Sequence, residues 1–210
     1  MNIILIGPQG SGKGTQARLI CEKFNFFYFE SGSFLRKIAQ NNEELKKSLA
    51  EGILVPDTEM TSYLSAFLDQ ENLYEDIIFD GFPRTVEQYK FWQSWLNQKQ
   101  VKIDLVLLLV ISEAETVRRL SARRSDPTTG AIYNLITDPP PQDVDQSKLV
   151  HRDDDKPEAI KKRLMLYKQR TEPLISELGK SSQVVEINGE RTIEEIAKEI
   201  EDTIKKNLNK

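Results

Sequence analysis

Residues Gly7 to Thr15 read Gly-Pro-Gln-Gly-Ser-Gly-Lys-Gly-Thr and follow an apolar run that ends at Ile6. Glycines at positions 7, 10, 12 and 14 let the backbone take positive φ and approach an anion closely. The amides then point inward at the start of a helix, whose dipole also favours negative charge. Lys13 adds a mobile cation for the β- and γ-phosphates of a nucleotide. Gly10, Ser11, Gly12, Lys13, Gly14 and Thr15 are therefore a candidate phosphate cradle. The general pattern for such loops places a serine or threonine directly after the lysine, to reach a metal ion. Here Gly14 takes that place, and the hydroxyl arrives one residue later, at Thr15.

Asp80 closes the run Ile77-Ile78-Phe79-Asp80, the shape of a strand that delivers a carboxylate to magnesium. The segment Asp80-Gly81-Phe82-Pro83-Arg84-Thr85 then gathers a glycine, a proline and an arginine into one tight turn. Arg36, Arg84, Arg119, Arg123, Arg152 and Arg163 fall near predicted strand ends or in irregular stretches. Guanidinium forks grip phosphate oxygens in pairs and keep their charge. By contrast, Arg18, Arg118 and Arg170 sit amid polar helix faces and read as solvated surface charge. Such a set suits transfer between two polyanions, where a protein must supply positive charge, alignment and water exclusion. A phosphate acceptor is largely dianionic at neutral pH and needs no general base.

These residues require a frame. Strands are predicted at 2–6, 26–29, 77–80, 105–110 and 183–187, most of them apolar on both faces, as buried parallel strands are. Helical patterns occupy 13–23, 57–70, 85–98, 113–123, 157–178 and 192–206. The alternation predicts a three-layer α/β/α fold on a five-stranded parallel sheet with right-handed crossovers. Ligands of such sheets collect at the carboxyl ends of the strands, where the glycine-rich loop and Asp80 would meet. Two stretches interrupt the pattern. Residues 30–56 hold short polar helices, Ser33 to Gln40 and Glu43 to Glu51, and no strand. Residues 124–156 are rich in Pro, Asp and Thr, and a loop of that length suits a lid. Ile132, Tyr133, Leu135 and Ile136 give it β-forming material.

Composition bounds the rest. The 210 residues, 39% hydrophobic and 30% charged, suit one soluble domain with insertions. A net charge of -4 argues against a general nucleic-acid binder. The longest apolar run, Leu105 to Ile111, is far short of the roughly 20 residues of a membrane helix. No cleavable presequence precedes the first strand, so a cytoplasmic location is expected. The single cysteine, Cys21, excludes an intramolecular disulfide and a multi-cysteine zinc site. Among Leu19, Ile20 and Phe24 it reads as a small buried apolar residue. His151, the only histidine, reads as a polar lid residue rather than a base, and no Asn-Lys-x-Asp guanine-reading run occurs.

In motif order and identity the chain resembles the adenylate kinase family from Asn2 to the last helix. The carriers are Gly7 to Gln16, Ser31-Gly32-Ser33-Phe34-Leu35-Arg36, Asp80 to Thr85, Arg119 to Arg124, and Arg152-Asp153-Asp154-Asp155 with Arg163. The resemblance implies a monomer that moves the γ-phosphoryl group of Mg-ATP to AMP, giving two ADP. Nucleic acid and membrane are not implied as partners. It further implies a core of residues 1–29, 57–121 and 157–210, a monophosphate-binding insert at 30–56 and a lid at 122–156. Lid closure belongs to the same implication, adenylate kinases being themselves a standard example of it.

The resemblance also implies roles. Lys13 and the loop amides hold the triphosphate. Arg119, Arg123, Arg152 and Arg163 surround the transferring group, with Asp154 and Asp155 paired to lid arginines. Arg36, Gly81 and Arg84 hold the monophosphate, while Ser31, the Val55 backbone and Gln88 meet the acceptor base. Tyr133 and Arg191 lie by the donor nucleotide, and Asp80 holds magnesium through water. Departures from the family are Gln9 and Ser33, in place of the usual proline and aspartate, and Asn134, where histidine is common. A lid without cysteine implies no structural zinc and a hydrogen-bonded lid using Asp126, Thr129 and Asp143 or Asp145. Two alternatives stay open: a kinase of the same fold with another acceptor, and a nucleotide-binding protein without transfer activity.

Overall fold

The computed structural model describes residues 1–50 and 55–208. The predicted helix end at Glu51 and the terminal Asn209 and Lys210 lie outside the described residues. The centre is a parallel sheet of five strands, β1 (Asn2–Ile6), β2 (Phe27–Glu30), β3 (Ile77–Asp80), β4 (Leu105–Val110) and β7 (Gln183–Asn188), in the order β2-β3-β1-β4-β7. Every residue of β1 is buried, because both faces of a central strand are covered. Alternate side chains divide between two layers. Ile4 and Ile6 pack with Phe79, Trp92 and Leu174, whereas Ile3 and Leu5 pack with Ile20, Leu107 and Ile200. The first layer is closed by α4 (Asp57–Gln70), α5 (Val86–Lys99) and α8 (Glu172–Leu178), the second by α1 (Lys13–Phe24) and α9 (Ile193–Leu208). In the first layer the Trp92 and Trp95 rings stack at 6.3 Å between centroids.

The chain winds from β1 outward to β2 and back to β3, then crosses β1 to β4. The crevice outside the carboxyl end of β1 is therefore the place where such sheets take ligands. It is flanked by α2 (Ser31–Ala39) and α3 (Glu43–Ala50) on one side. Across from them, α6 (Glu113–Ala122) runs directly into a small antiparallel pair, β5 (Arg123–Ser125) with β6 (Ile132–Asn134), and α7 (Pro157–Leu166) follows.

Three expectations are corrected. The second strand begins at Phe27, one residue late, because Asn25 adopts a left-handed cap after α1. The second helix begins at Ser31, directly after Glu30, rather than at Ser33. The single helix expected over 157–178 is divided by a π-helical segment at Tyr167–Thr171. Pro173 lacks the N–H that the Gln169 carbonyl would need, and the ladder widens just before it. In the long stretch after α6, Ile132 and Tyr133 do form a strand, but Leu135 and Ile136 leave it and are exposed. Asn134 causes this turn by accepting hydrogen bonds from the Ile136 and Thr137 amides. Cys21 is half-buried against the α1 and α9 layer, and burial pushes its thiol up to about 11. Among the described residues no helix is long and apolar enough to cross a membrane.

Candidate active site

The glycine-rich loop joins β1 to α1. Gly12 caps α1 in a left-handed conformation at φ 91°, which is why a residue without Cβ stands there. Lys13 turns back over the loop and donates to the Gly7 carbonyl at 2.8 Å and the Pro8 carbonyl at 2.9 Å. Burial lowers its pKa to about 8, against the opposing pull of Asp80. The ammonium is thus held by the loop's own carbonyls, with no carboxylate bonded to it directly among the described residues. In the same loop the buried Oε1 of Gln9 has no hydrogen-bond partner among the described residues.

Asp80 ends β3 beside this loop, buried, and accepts a 2.9 Å hydrogen bond from the Tyr28 hydroxyl. Burial raises the carboxyl pKa, while Lys13 works against that shift. Gly14 lies against the same pair: a Cβ there would stand 3.2 Å from the Tyr28 hydroxyl. A side chain at position 14 would have to push that hydroxyl aside, and Gly14, lying within α1, does not take the positive φ expected of it.

On the other side of Asp80, the Arg84 turn forms a compact clamp. Arg84 Nε donates to the Gly81 carbonyl at 2.7 Å and Nη2 to Ser31 Oγ at 3.2 Å, while Ser31 Oγ itself donates to that carbonyl at 2.7 Å. Gln88 is fixed from two sides, its Oε1 accepting from the Arg84 amide and its own amide donating to Thr85 Oγ1, the cap of α5. Thr171, in the π-helical segment, donates to the Arg84 carbonyl at 2.9 Å. Burial lowers the Arg84 pKa, with Asp80 opposing. Arg36 is more exposed and reaches Glu30 at 3.5 Å.

Four further arginines close the cavity from the α6 and α7 side. Arg119 is held by Glu115 one turn earlier and spans two loops, donating to the Gly10 carbonyl at 3.3 Å and the Gly189 carbonyl at 2.8 Å. Hydrogen bonds from Arg118, reinforced by Arg119, bring the Glu115 carboxyl down to about 2. Arg123 is bidentate to Asp155, and Arg152 is bidentate to Asp154. Arg163 donates to the Asp154 carbonyl and carboxylate at 3.0 and 2.9 Å. Burial alone would raise the Asp154 carboxyl, but Arg163 and Arg152 outweigh it and hold it low. Burial likewise brings Arg163 down to about 10.

The segment after β5 is tied to this ring through Asn134, whose amide donates to the Arg119 carbonyl at 2.9 Å. Asp126 accepts locally from Thr129 Oγ1 at 2.9 Å and from the Thr128 amide at 2.7 Å. Asp145 instead accepts locally from Ser147, capping a short 3-10 turn of its own. His151 lies near the Leu120 carbonyl at 3.3 Å. Arg191 donates to the Asn188 carbonyl and pairs with Glu199.

The loop, Asp80, the Arg84 clamp and the arginines of α6 and α7 face one cavity of about 1050 Å³, whereas Glu115, Asp126, Asp145, His151 and Asp155 lie outside its lining. Its wall includes Gly10, Ser11, Gly12, Lys13, Gly14 and Thr15 from the loop, and Ser31, Arg36, Val55, Gly81, Arg84 and Gln88 from the clamp side. Asp80, Arg119, Arg123, Tyr133, Arg152, Arg163 and Arg191 complete it. Arg18 and Arg118, expected on plain surface, also line its margin, because α1 and α6 both begin at the crevice. Arg170 instead pairs with Asp57. Sequence reasoning missed Tyr28, Glu115 and Thr171. Glu115 was findable, four residues before Arg119 on one helix.

Among the described residues no group of three or more His, Cys, Asp or Glu side chains is placed to hold a metal. Asp80 fits a different arrangement, in which magnesium is carried mainly by phosphates and water and meets the protein through one carboxylate. A buried carboxylate that desolvation pushes toward protonation gains from a cation beside it.

A parallel α/β sheet with a glycine-rich loop, a buried carboxylate and two groups of arginines on one cavity has the build of a phosphate-loop phosphotransferase. Comparison with known proteins narrows the class. The family model described as adenylate kinase matches residues 5–183. The adenylate kinase of Methanothrix thermoacetophila is 41% identical, over 98% of this chain and 99% of its own. That of Archaeoglobus fulgidus is 38% identical over 98% and 99%, and that of Petrotoga mobilis 36% over 95% of each. The chain belongs to the adenylate kinase family, and with it to the nucleoside-monophosphate kinases.

Proposed function

We propose that the chain catalyses reversible, in-line transfer of the ATP γ-phosphoryl group to AMP, giving two ADP, as a monomer in the cytoplasm. Lys13 and the amides of Gly10 to Thr15 hold the donor phosphates. Arg36 and Arg84 hold the acceptor phosphate, and Ser31, Val55, Gly81 and Gln88 line the acceptor's place. Arg119, Arg123, Arg152 and Arg163 stabilise charge on the group in flight, and Tyr133 and Arg191 border the donor nucleotide. Asp80 is the residue that would hold magnesium through water, and the ion would supply positive charge to the phosphates being transferred. Residues 30–56 and 122–156 act as the monophosphate insert and the lid on a core of 1–29, 57–121 and 157–210. Their closure excludes water, which would otherwise take the phosphoryl group.

The observation that carries this reading is the meeting of two anion sites in one cavity, Lys13 on one side of buried Asp80 and Arg84 with Ser31 on the other. A nucleotide switch has no use for the second. AMP, GMP, CMP and UMP, each offered with ATP and with GTP, test it. ADP formed from ATP and AMP is expected; absence of product with every monophosphate would overturn transfer, and preference for another monophosphate would reassign the acceptor.

A further inference from the structure

Tyr28 has no part in the roles given so far, yet it meets two of the residues that do. It lies on the edge strand β2, opposite Ile78 of β3, two residues before the Glu30–Asp80 pairing. From there its side chain reaches along the sheet to Asp80, and the hydroxyl donates to Oδ2 at 2.9 Å. The same hydroxyl is the nearest atom to the position a Cβ on Gly14 would take, at 3.2 Å, with Asp80 Oδ2 next at 3.8 Å. Loop, carboxylate and phenol converge on one point. In the general phosphate-loop pattern a hydroxyl from position 14 would occupy that region. Here the neighbouring strand supplies a hydroxyl beside it, and the loop residue is reduced to glycine.

We infer that Tyr28 is a positioning residue for Asp80: its hydroxyl fixes the carboxylate orientation on which the water shell of magnesium is held. The physical case is direct. A carboxylate gripped at one oxygen cannot rotate freely, and presents the other at a fixed point. Asp80 is buried and, among the described residues, has no ion pair, so the phenol that bonds it is the side chain that orients it. Tyr28 itself does not touch the reacting atoms. The inference rests on the phosphoryl-transfer reading of this cavity.

Tyr28→Phe keeps the ring and removes only the hydroxyl. A dinucleoside pentaphosphate that spans donor and acceptor sites is titrated calorimetrically into the parent, Tyr28→Phe, Asp80→Asn and the double variant, with and without magnesium. In Tyr28→Phe the magnesium-free affinity should match the parent, while the tightening caused by magnesium falls about tenfold, the worth of a hydrogen bond to a charged group. In the Asp80→Asn background, Tyr28→Phe should have no further effect. Full magnesium tightening in Tyr28→Phe overturns the inference. So does an equal loss with and without magnesium, or failure to fold, since each makes the hydroxyl structural. A parent that forms ADP while Tyr28→Phe keeps full tightening leaves the transfer reading intact. A parent that forms no ADP overturns that reading and this inference together.

Discussion

Arg123 grips Asp155 through two hydrogen bonds of 2.7 and 2.6 Å, and the Asp155 side chain is wholly buried beneath it. The pair joins the end of α6 to the approach to α7. Breaking a buried pair from one side strands the other charge, at a cost of about 3 to 5 kcal/mol. Asp155→Ala should destabilise the fold by about that much, read as a lower midpoint in urea. Because Arg123 loses its tether, turnover should fall as well. An unchanged midpoint would show that the pair is no anchor.

Lys13 and Arg84 lie on opposite sides of Asp80, and neither belongs to the hydrophobic layers. Their loss should leave the fold standing and remove charge where phosphoryl transfer needs it. Lys13→Ala and Arg84→Ala are each expected to reduce turnover by about a thousandfold or more, with unchanged circular dichroism. Near-parental turnover in either folded variant would remove that residue from the site.

The Lys13 ammonium carries a pH signature. Burial brings its pKa from an ordinary 10.5 to about 8 in the free protein. Phosphates favour the charged form, so nucleotide binding above pH 8 must take up a proton, and affinity should fall as pH rises through that value. Calorimetric enthalpies in buffers of different ionisation heat would detect the uptake, and Lys13→Met should abolish it. Stability has the opposite sign. Between about pH 8 and 10.5 the unfolded chain holds a proton the folded chain lacks, so this group stabilises the free fold as pH rises.

Gly81 turns at φ 78°, and a Cβ there would stand 2.5 Å from Ser31 Oγ and 3.0 Å from Arg84 Nη2. Gly81→Ala should therefore spread the clamp while leaving the glycine-rich loop untouched. The KM for AMP is expected to rise about tenfold or more with little change in the KM for ATP, measured by varying each substrate in turn. Equal effects on both would mean that the two halves of the cavity are not separable.

Much of this was legible in the sequence for physical reasons. Runs such as Ile77-Ile78-Phe79 and Leu105 to Val110 are apolar on both faces, which only a doubly covered strand explains. The glycine-rich loop announces itself because its turn takes positive φ at Gly10 and Gly12, which calls for glycine. What escaped depends on tertiary distance. Tyr28 looks like an ordinary β-former, and only the pairing of β2 with β3 brings it to Asp80. Thr171 sits in a helical pattern that gives no sign of the widened turn aiming it at Arg84. A carboxylate near Asp143 or Asp145 was expected to join Asp126 and Thr129, but Asp145, two residues before a serine, satisfies itself locally. The arginines of α6 and α7 were visible as cations, whereas their division between Asp154 and Asp155 needed coordinates.

The stacked pair Trp92 and Trp95 makes the molecule optically one-sided. These are the chain's only tryptophans, both on α5, in the layer that also carries Phe79 and Phe82. The layer formed by α1 and α9 contains neither. Intrinsic fluorescence therefore follows the half of the protein that backs Gln88 and the Arg84 turn. Melting of the C-terminal helix would pass almost unseen by that signal and would need circular dichroism to be recorded.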